Sequence, residues 1–526
     1  MKKVVVCDHI HNDGIEILKK ANDINLVIAY DEPKDKLLDI VADAQLVITR
    51  SSTPVDQKFL DHAKSLEAII RAGVGVDNVD INACSKRGIV VMNIPTANTI
   101  AAVELTLAHM LSSVRTFPYA HSELKDQRVW KRENWYGTEL MGKKLGIIGF
   151  GNIGSRVGIR AKAFGMDVMT FDPYIQPSKA TDVGVKYTKD FNDILACDMI
   201  TIHTPKNKET VNYITKDEIA KMKDGVILIN CARGGLYNED DLYDGLKSGK
   251  VAFAGMDVFI KEPATDNKLL DLDNIVVTPH LGANTKESQV KISVQAGTNA
   301  LDVVRGVSFP NALNLPIKEG EVSDWAEGFL ELTQRLAFMA AQLNKGVISS
   351  IKVTATGEIK SYLETLKTFA AVGALRESVE EQVNYVNALF LANERGIDVI
   401  GEEELVETPY KNRISVRLTT DKDTIVVSGT VFEENSPRIV DINGFDLDVI
   451  PKGKMILFKN SDVPGVIGEV GTLLAKNSVN IADFRLGRDT NGQALAVISV
   501  DEEVSKSVLD ALGKLQAAIS VSYVEL

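Results

Sequence analysis

Cysteine is scarce in this chain: four in 526 residues, at positions 7, 84, 197 and 231, with no C-x-x-C pair among them. That scatter excludes a disulfide framework and a thiolate zinc site, and a reducing cytoplasm is the expected setting. Long apolar runs are missing too. No uncharged stretch approaches the roughly 18 residues of a membrane span, and the apolar start of MKKVVVCDHI stops at Asp8, too soon for an export signal. Positive charge is in deficit: 59 Lys+Arg against 72 Asp+Glu leaves −13. A phosphate backbone attracts basic faces, so nucleic acid is not an expected partner, while a local basic pocket for a small anion is still allowed. Low-complexity tracts and internal repeats are absent. With 45% hydrophobic and 25% charged residues, the composition is that of a water-soluble globular protein. Its length suits about three or four domains.

The first 90 or so residues alternate buried-strand patterns with helix-length segments: VVVCD (4–8), INLVIA (24–29), AQLVITR (44–50), LEAIIRAG (66–73) and IVVMN (89–93). That rhythm predicts a parallel sheet with crossover helices. A helix from about Thr99 to Val114 leads to a second α/β series with six strand-like runs, from KLGIIGFG to IVVTPHLG, enough for one complete doubly wound domain. Beyond His280 a further long helix is expected, ending at FPNALNLP. If it packs back on the first domain, that domain is discontinuous. Residues 318–450 read as two helices (321–344 and about 361–395) with strands that include SIKVTATGEI, ISVRLTT and TIVVSGTVF. From Lys454 the order is strand-helix-strand-strand-helix-strand, that of a ferredoxin-like module.

Gly149-Phe150-Gly151-Asn152-Ile153-Gly154 follows the strand KLGII and opens a helical stretch, the context that turns G-x-G-x-x-G into a dinucleotide fingerprint. The glycines permit a tight turn, close approach of a pyrophosphate and helix–strand packing, and the helix N-terminus faces the anion. Asp172 ends the next strand, where a carboxylate can bond ribose hydroxyls and repel a 2′-phosphate. NAD is therefore the expected cofactor.

Arg233, Glu262 and His280 each stand just past a strand-like run of this second series, and in a doubly wound sheet such positions converge. Oxidising a secondary alcohol with NAD needs a group to take the hydroxyl proton, and imidazole is the side chain that titrates nearest neutrality. A carboxylate would orient it, and a forked guanidinium would bind a substrate carboxylate. Singly, a turn arginine, a loop glutamate and a surface histidine would carry no such meaning.

NCARGGLYNEDDL, GMDVFIKEP and TPHLGANT resemble the three signatures of the D-isomer-specific 2-hydroxyacid dehydrogenases. GFGNIG, RAGVGVDNVD (71–80) and NIPTANTIAAVEL (93–105) extend the likeness, which covers the whole chain in the long form of that family. The resemblance implies two doubly wound, Rossmann-like α/β domains, the first discontinuous, then an α+β intervening domain and a ferredoxin-like ACT domain. Expected boundaries are 1–94 with return and linker 283–317 for substrate binding, 95–282 for NAD, 318–450 intervening and 454–526 ACT. It places the catalytic roles on Arg233, Glu262 and His280, with NAD held by Gly149, Gly151, Asn152, Ile153, Gly154, Asp172, Thr204, Cys231, Ala232, Asp257, Gly282 and Ala283. Val74 and Asn152 depart from residues common in relatives, which removes one hydroxyl and one cationic contact to the cofactor.

The activity so implied is NAD-dependent oxidation of D-3-phosphoglycerate to 3-phosphohydroxypyruvate, which opens L-serine synthesis, in a homotetramer. A phosphorylated three-carbon 2-hydroxy acid needs two cationic or NH-rich places. Arg50 and Arg71 end strands that would face an interdomain cleft, Arg132 resembles a family arginine near the phosphate, and Asn98 and Thr99 stand where they can bind a carboxylate or cap a helix. In the ACT-like module Asn460, Asp462 and Asn480 fall where relatives hold serine, so L-serine is the expected effector, while Val466, Ile467, Val470, Leu473 and Leu474 read as core. Two rival readings are an oxidoreductase for an unphosphorylated acid (glyoxylate, hydroxypyruvate or 2-oxoglutarate) and a non-catalytic NAD(H)- or amino-acid-sensing scaffold.

Overall fold

The structure is a computed structural model and describes residues 1–317, 321–376, 382–404, 408–432 and 436–526. Strands β1 (Lys2–Val6), β2 (Ile24–Ile28), β3 (Leu46–Thr49), β4 (Ala68–Arg71) and β5 (Val90–Asn93) form a parallel sheet in the order β2-β1-β3-β4-β5. Val4, Val5 and Val6 are all fully buried. Consecutive burial of this kind requires cover on both faces, which crossover helices supply. One of those covers arrives late in the chain. The helix Lys286–Val304, capped by Thr285, lays Ile292, Ala296, Ala300 and Val303 into the core built by Val4, Val6, Ile48 and Ile70. The first domain is thus discontinuous.

Helix Thr99–Arg115 leads into the second sheet. Its strands are β6 (Lys144–Ile148), β7 (Asp167–Phe171), β8 (Lys186–Tyr187), β9 (Met199–Ile202), β10 (Val226–Asn230), β11 (Val251–Met256) and β12 (Ile275–Val277), all parallel, ordered β12-β11-β10-β9-β6-β7-β8. The six expected strands are joined by the edge strand β8, whose two residues are too few to show any periodicity. Strand order reverses between β6 and β9, so the loop after β6 opens at the topological switch point where such sheets bind ligands.

The third sheet comprises β13 (Ile348–Thr356), β14 (Asp398–Glu403), β15 (Arg413–Thr420), β16 (Thr424–Phe432), β17 (Ser436–Ile442) and β18 (Phe445–Val449), antiparallel apart from the β13–β14 pair. The single helix expected over 361–395 is instead a 3-10 turn (Glu358–Tyr362) and two helices, Leu363–Leu375 and Ala388–Glu394, while residues 377–381 lie outside the described residues. Asn384 and Asn387 mark the interruption. Their side-chain oxygens accept from the backbone N–H groups of Val386 and Asn387, and of Asn384, an alternative that competes with the helical ladder.

The fourth sheet, β19 (Lys454–Ser461), β20 (Ile481–Arg488), β21 (Gln493–Val500) and β22 (Ala518–Glu525), has the ferredoxin-like order β20-β21-β19-β22. Helices Val466–Lys476 and Lys506–Leu512 cover one face through Val470, Leu474, Val508 and Leu512. On the other, Met455, Leu457, Leu495 and Val497 join Leu332 and Leu336 of helix Asp324–Leu343 in one continuous core. Among the described residues no helix is long and apolar enough to cross a membrane.

The returning helix fits only because glycine stands at both crossing points. A Cβ on Gly14 would lie 2.2 Å from the Ser293 carbonyl oxygen, and one on Gly297 2.8 Å from that of Gly14. Gly14→Ala is expected to force these helices apart and destabilise the first domain by about 1–3 kcal/mol, as overpacking does. Urea unfolding checks it, and an unchanged midpoint would contradict this account of the crossing.

Candidate functional site

The fingerprint loop runs from β6 into the helix Asn152–Ala163, whose N-cap is Gly151. Gly149 has φ +88°, and a Cβ there would sit 2.7 Å from the His203 carbonyl oxygen. A Cβ on Gly154 would meet the Gly149 oxygen at 2.1 Å, whereas one on Gly151 would have nothing within 4 Å among the described residues. Two glycines therefore close the turn and the third leaves open space beside the helix N-terminus, where a pyrophosphate fits. Asn152 is exposed at that terminus, and Ile153 packs on the core beneath it. The Asp172 carboxylate accepts from the N–H groups of Phe150 (2.8 Å) and Tyr174 (2.9 Å), which holds it beside the loop at the end of β7. Thr204, against Gly149, has a buried hydroxyl with no partner among the described residues. An open cradle, a braced carboxylate and an unpartnered hydroxyl fit a dinucleotide.

Along the same sheet edge, Cys231 and Ala232 follow β10, and burial pushes the Cys231 thiol up, away from thiolate. Ala232 N–H donates to Asn230 Oδ1 (3.0 Å), which shapes the turn that presents Arg233. Asp257, fully buried beyond β11, accepts from Thr278 Oγ1 (2.6 Å), Leu281 N–H (2.7 Å) and Gly282 N–H (2.9 Å). Burial raises its pKa, and these donors oppose the rise. Ala283 follows, partly buried against the first domain's core.

His280 stands on the turn that Asp257 braces, with φ +54°. Its Nδ1 lies 2.7 Å from Glu262 Oε2, and Glu262 Oε1 accepts from Phe259 N–H at 3.0 Å. Partial burial pushes Glu262 up, but its bonds to His280 and Phe259 outweigh that and leave it below the usual carboxylate value. The pair fixes the ring and leaves Nε2 for a cleft of about 820 Å³ walled also by Thr278, Lys34, Ser51 and Ser52.

Arg233 reaches from this domain to the first, with Nε 3.1 Å from Asp77 Oδ2 and Nη1 donating to the Ala232 carbonyl at 2.7 Å. Its guanidinium lies so near Gly75 that a Cβ there would come within 2.4 Å of Nη2. Arg71 is close by. Burial, then repulsion from Arg233 and Arg50, lowers its pKa to about 10, so it is charged at neutral pH, and its Nε is buried without a partner among the described residues. Arg50 donates from Nη1 to the His9 carbonyl (3.2 Å), while Asp8 binds the Arg50 N–H and the Thr53 hydroxyl (2.8 Å). Mutual repulsion among three guanidinium groups is relieved by an anion.

Asn98 occupies the N-cap position of its helix but makes no capping bond, and its buried Oδ1 is unpartnered among the described residues, while Thr99 is buried. Arg132 is exposed on a short 3-10 turn (Arg132–Asn134).

A second cavity, about 410 Å³, opens in the fourth domain between β19 and the start of helix Val466–Lys476. Asn460 and Asp462 line it, and Asn460 Oδ1 is buried and unpartnered among the described residues. Asp462 pairs with Arg488 at 3.2 Å. Asn480 is not brought here: its side chain donates to Asp501 at 2.6 Å instead. Ile467 departs from its expected place in the core, standing 55% exposed on the cavity wall. Its helix has a free flank there, since nothing lies within 4 Å of a Cβ on Gly468 or Gly471.

Asp77, Lys34, Ser51, Ser52 and Arg488 were not singled out from the sequence. Only Asp77 had a signal, its place within RAGVGVDNVD; the others reach their sites across strands or domains.

Comparison with known proteins bears on this geometry. Residues 107–282 match the NAD-binding domain of the D-isomer specific 2-hydroxyacid dehydrogenases, 326–443 the D-3-phosphoglycerate dehydrogenase intervening domain and 454–517 the ACT domain. The chain is 38% identical to the D-3-phosphoglycerate dehydrogenases of Archaeoglobus fulgidus and of Bacillus subtilis, with 100% of both chains covered in each case. Among solved structures, a D-lactate dehydrogenase from Aquifex aeolicus complexed with NAD and lactic acid aligns at a TM-score of 0.52 and 29% identity, over 58% of this chain and 96% of that one. An NAD-dependent formate dehydrogenase from Staphylococcus aureus in complex with NAD aligns at 0.54 and 25%, over 60% and 99%. The NAD-binding, intervening and ACT domains, together with full-length identity, show that the chain belongs to the D-3-phosphoglycerate dehydrogenase family in its long form.

Proposed function

We propose that this chain oxidises D-3-phosphoglycerate to 3-phosphohydroxypyruvate with NAD, the first step towards L-serine, under feedback by L-serine. The observation that carries the reading is the His280–Glu262 pair at 2.7 Å, in the same site as the Arg50, Arg71 and Arg233 cluster. His280 Nε2 takes the proton of the substrate C2 hydroxyl, while Glu262 holds the opposite ring nitrogen and stabilises the imidazolium that results. Arg233 binds the substrate carboxylate and polarises the neighbouring C2–O bond, with Asp77 holding its fork. Arg50 and Arg71 receive the phosphate. NAD, when bound, supplies the chemistry by accepting the C2 hydride. Gly149, Gly151, Asn152, Ile153 and Gly154 would hold its pyrophosphate, Asp172 its ribose, and Thr204, Cys231, Ala232, Asp257, Gly282 and Ala283 the rest of the cofactor.

L-serine is proposed to occupy the 410 Å³ cavity, because an Asp462–Arg488 pair presents opposite charges to a zwitterion. Assembly as a homotetramer fits the apolar side chains exposed over residues 117–141, among them Phe117, Trp130, Tyr136 and Met141. Cytoplasmic residence fits four free, buried thiols.

His280→Ala is expected to lower kcat by about 10²–10⁴-fold, the usual worth of general acid–base catalysis, with NADH affinity nearly intact. Steady-state kinetics with fluorescence titration decide it; undiminished turnover would remove His280 from the mechanism. Arg71→Ala removes a charged bond worth about 1.5–3 kcal/mol, so KM for D-3-phosphoglycerate should rise roughly 10- to 100-fold. Reduction of unphosphorylated hydroxypyruvate should change little, and an equal effect on both substrates would place the phosphate elsewhere. Asp462→Ala should raise the serine concentration for half-inhibition by about tenfold. Inhibition unaltered in this variant would move the effector to another site.

A further inference from the structure

Behind the proposed catalytic turn lies a histidine that no role assigned so far uses. His109 is in the middle of helix Thr99–Arg115, 2% exposed, with its ring against β11 where Gly255 leaves room: a Cβ there would lie 3.1 Å from Nδ1. Its Nε2 is 2.8 Å from Thr278 Oγ1. Thr278 has one hydroxyl proton and gives it to Asp257 Oδ1 at 2.6 Å. The bond from His109 must therefore be donated by the ring, which fixes the Nε2–H tautomer. Nδ1 is buried without a partner among the described residues, and burial lowers the His109 pKa to about 4, so the ring is neutral near pH 7.

The consequence reaches His280. Asp257 uses its other carboxylate contacts on the N–H groups of Leu281 and Gly282, and its carbonyl accepts from His280 N–H at 2.9 Å. These bonds hold the turn in which His280 adopts φ +54°, a left-handed conformation that a residue with a side chain takes only when its surroundings impose it. A Thr278 hydroxyl free to rotate would leave the buried Asp257 carboxylate one donor short and loosen the turn.

We propose that His109 is a positioning residue: its Nε2–H locks the Thr278 hydroxyl onto Asp257 and so sets the turn that aims His280. The proposal rests on His280 being the proton acceptor, which wild-type turnover and its loss in His280→Ala test independently of the His109 variants.

The experiment compares His109→Leu, His109→Gln, Thr278→Val and the double variant His109→Leu/Thr278→Val in the full-length protein, with D-3-phosphoglycerate and NAD. Misaimed reacting groups cost rate more than binding. His109→Leu and Thr278→Val are each expected to lose about tenfold in kcat, with KM for D-3-phosphoglycerate within about twofold of wild type. Glutamine, whose amide N–H can replace the ring donor, should recover most of the rate. The double variant should be no slower than either single one, because both cut the same chain of bonds. Three results would overturn the proposal: unchanged kcat in His109→Leu, Gln as slow as Leu, or losses that multiply in the double variant. If His109→Leu fails to fold, the near-isosteric Thr278→Val decides alone, and an unchanged kcat there overturns it.

Discussion

A single buried carboxylate organises the proposed catalytic face. Ionised Asp257 in the interior would be costly without partners, and the fold supplies three, from Thr278, Leu281 and Gly282. In return the chain between β12 and the returning helix is tied to the end of β11, and His280 is carried in a backbone conformation it would not hold alone. The pairing with Glu262 then adds orientation to position. Each bond is ordinary in strength; together they define one geometry, since a donor missing from a buried charge is costlier than the bond it would have made.

Electrostatics in the cleft run against those of the whole protein. A chain of net charge −13 gathers Arg50, Arg71 and Arg233 together, and burial, followed by repulsion from Arg233 and Arg50, depresses the pKa of Arg71. Burial of like charges is unfavourable unless an opposite charge offsets it. Asp77 and Asp8 hold parts of this array without neutralising it: Asp77 binds one edge of Arg233, and Asp8 binds the Arg50 backbone.

The modules are physically continuous. The third and fourth domains share one core through Leu332, Leu336, Met455 and Leu457, so the sheet that carries the 410 Å³ cavity is braced on its far face by the helix Asp324–Leu343. The third domain also touches the first: Val386 enters the core of Val4 and Ile70, and Asn384 Nδ2 donates to the Gly88 carbonyl at 2.9 Å. Packing therefore continues from the fourth domain through the third to the sheet that presents Arg50 and Arg71.

Much of this was legible in the residues. Uninterrupted Val/Ile runs read as doubly buried strands because only a covered parallel sheet tolerates them, and the fingerprint at 149–154 carried its own strand, turn and helix. Arg233, Glu262 and His280 each follow a strand at the same sheet edge, but it was the resemblance of NCARGGLYNEDDL, GMDVFIKEP and TPHLGANT to family signatures that marked them as candidates. What tertiary structure alone decided depends on side chains meeting across long separations: the Arg233–Asp77 pair 156 residues apart, the His109–Thr278 bond 169 apart, and the diversion of Asn480 to Asp501 rather than the cavity lined by Asn460 and Asp462. Local periodicity records which face of an element is buried; it holds no information about which distant polar group waits on that face, because that is set by the packing of elements the sequence only lists in order.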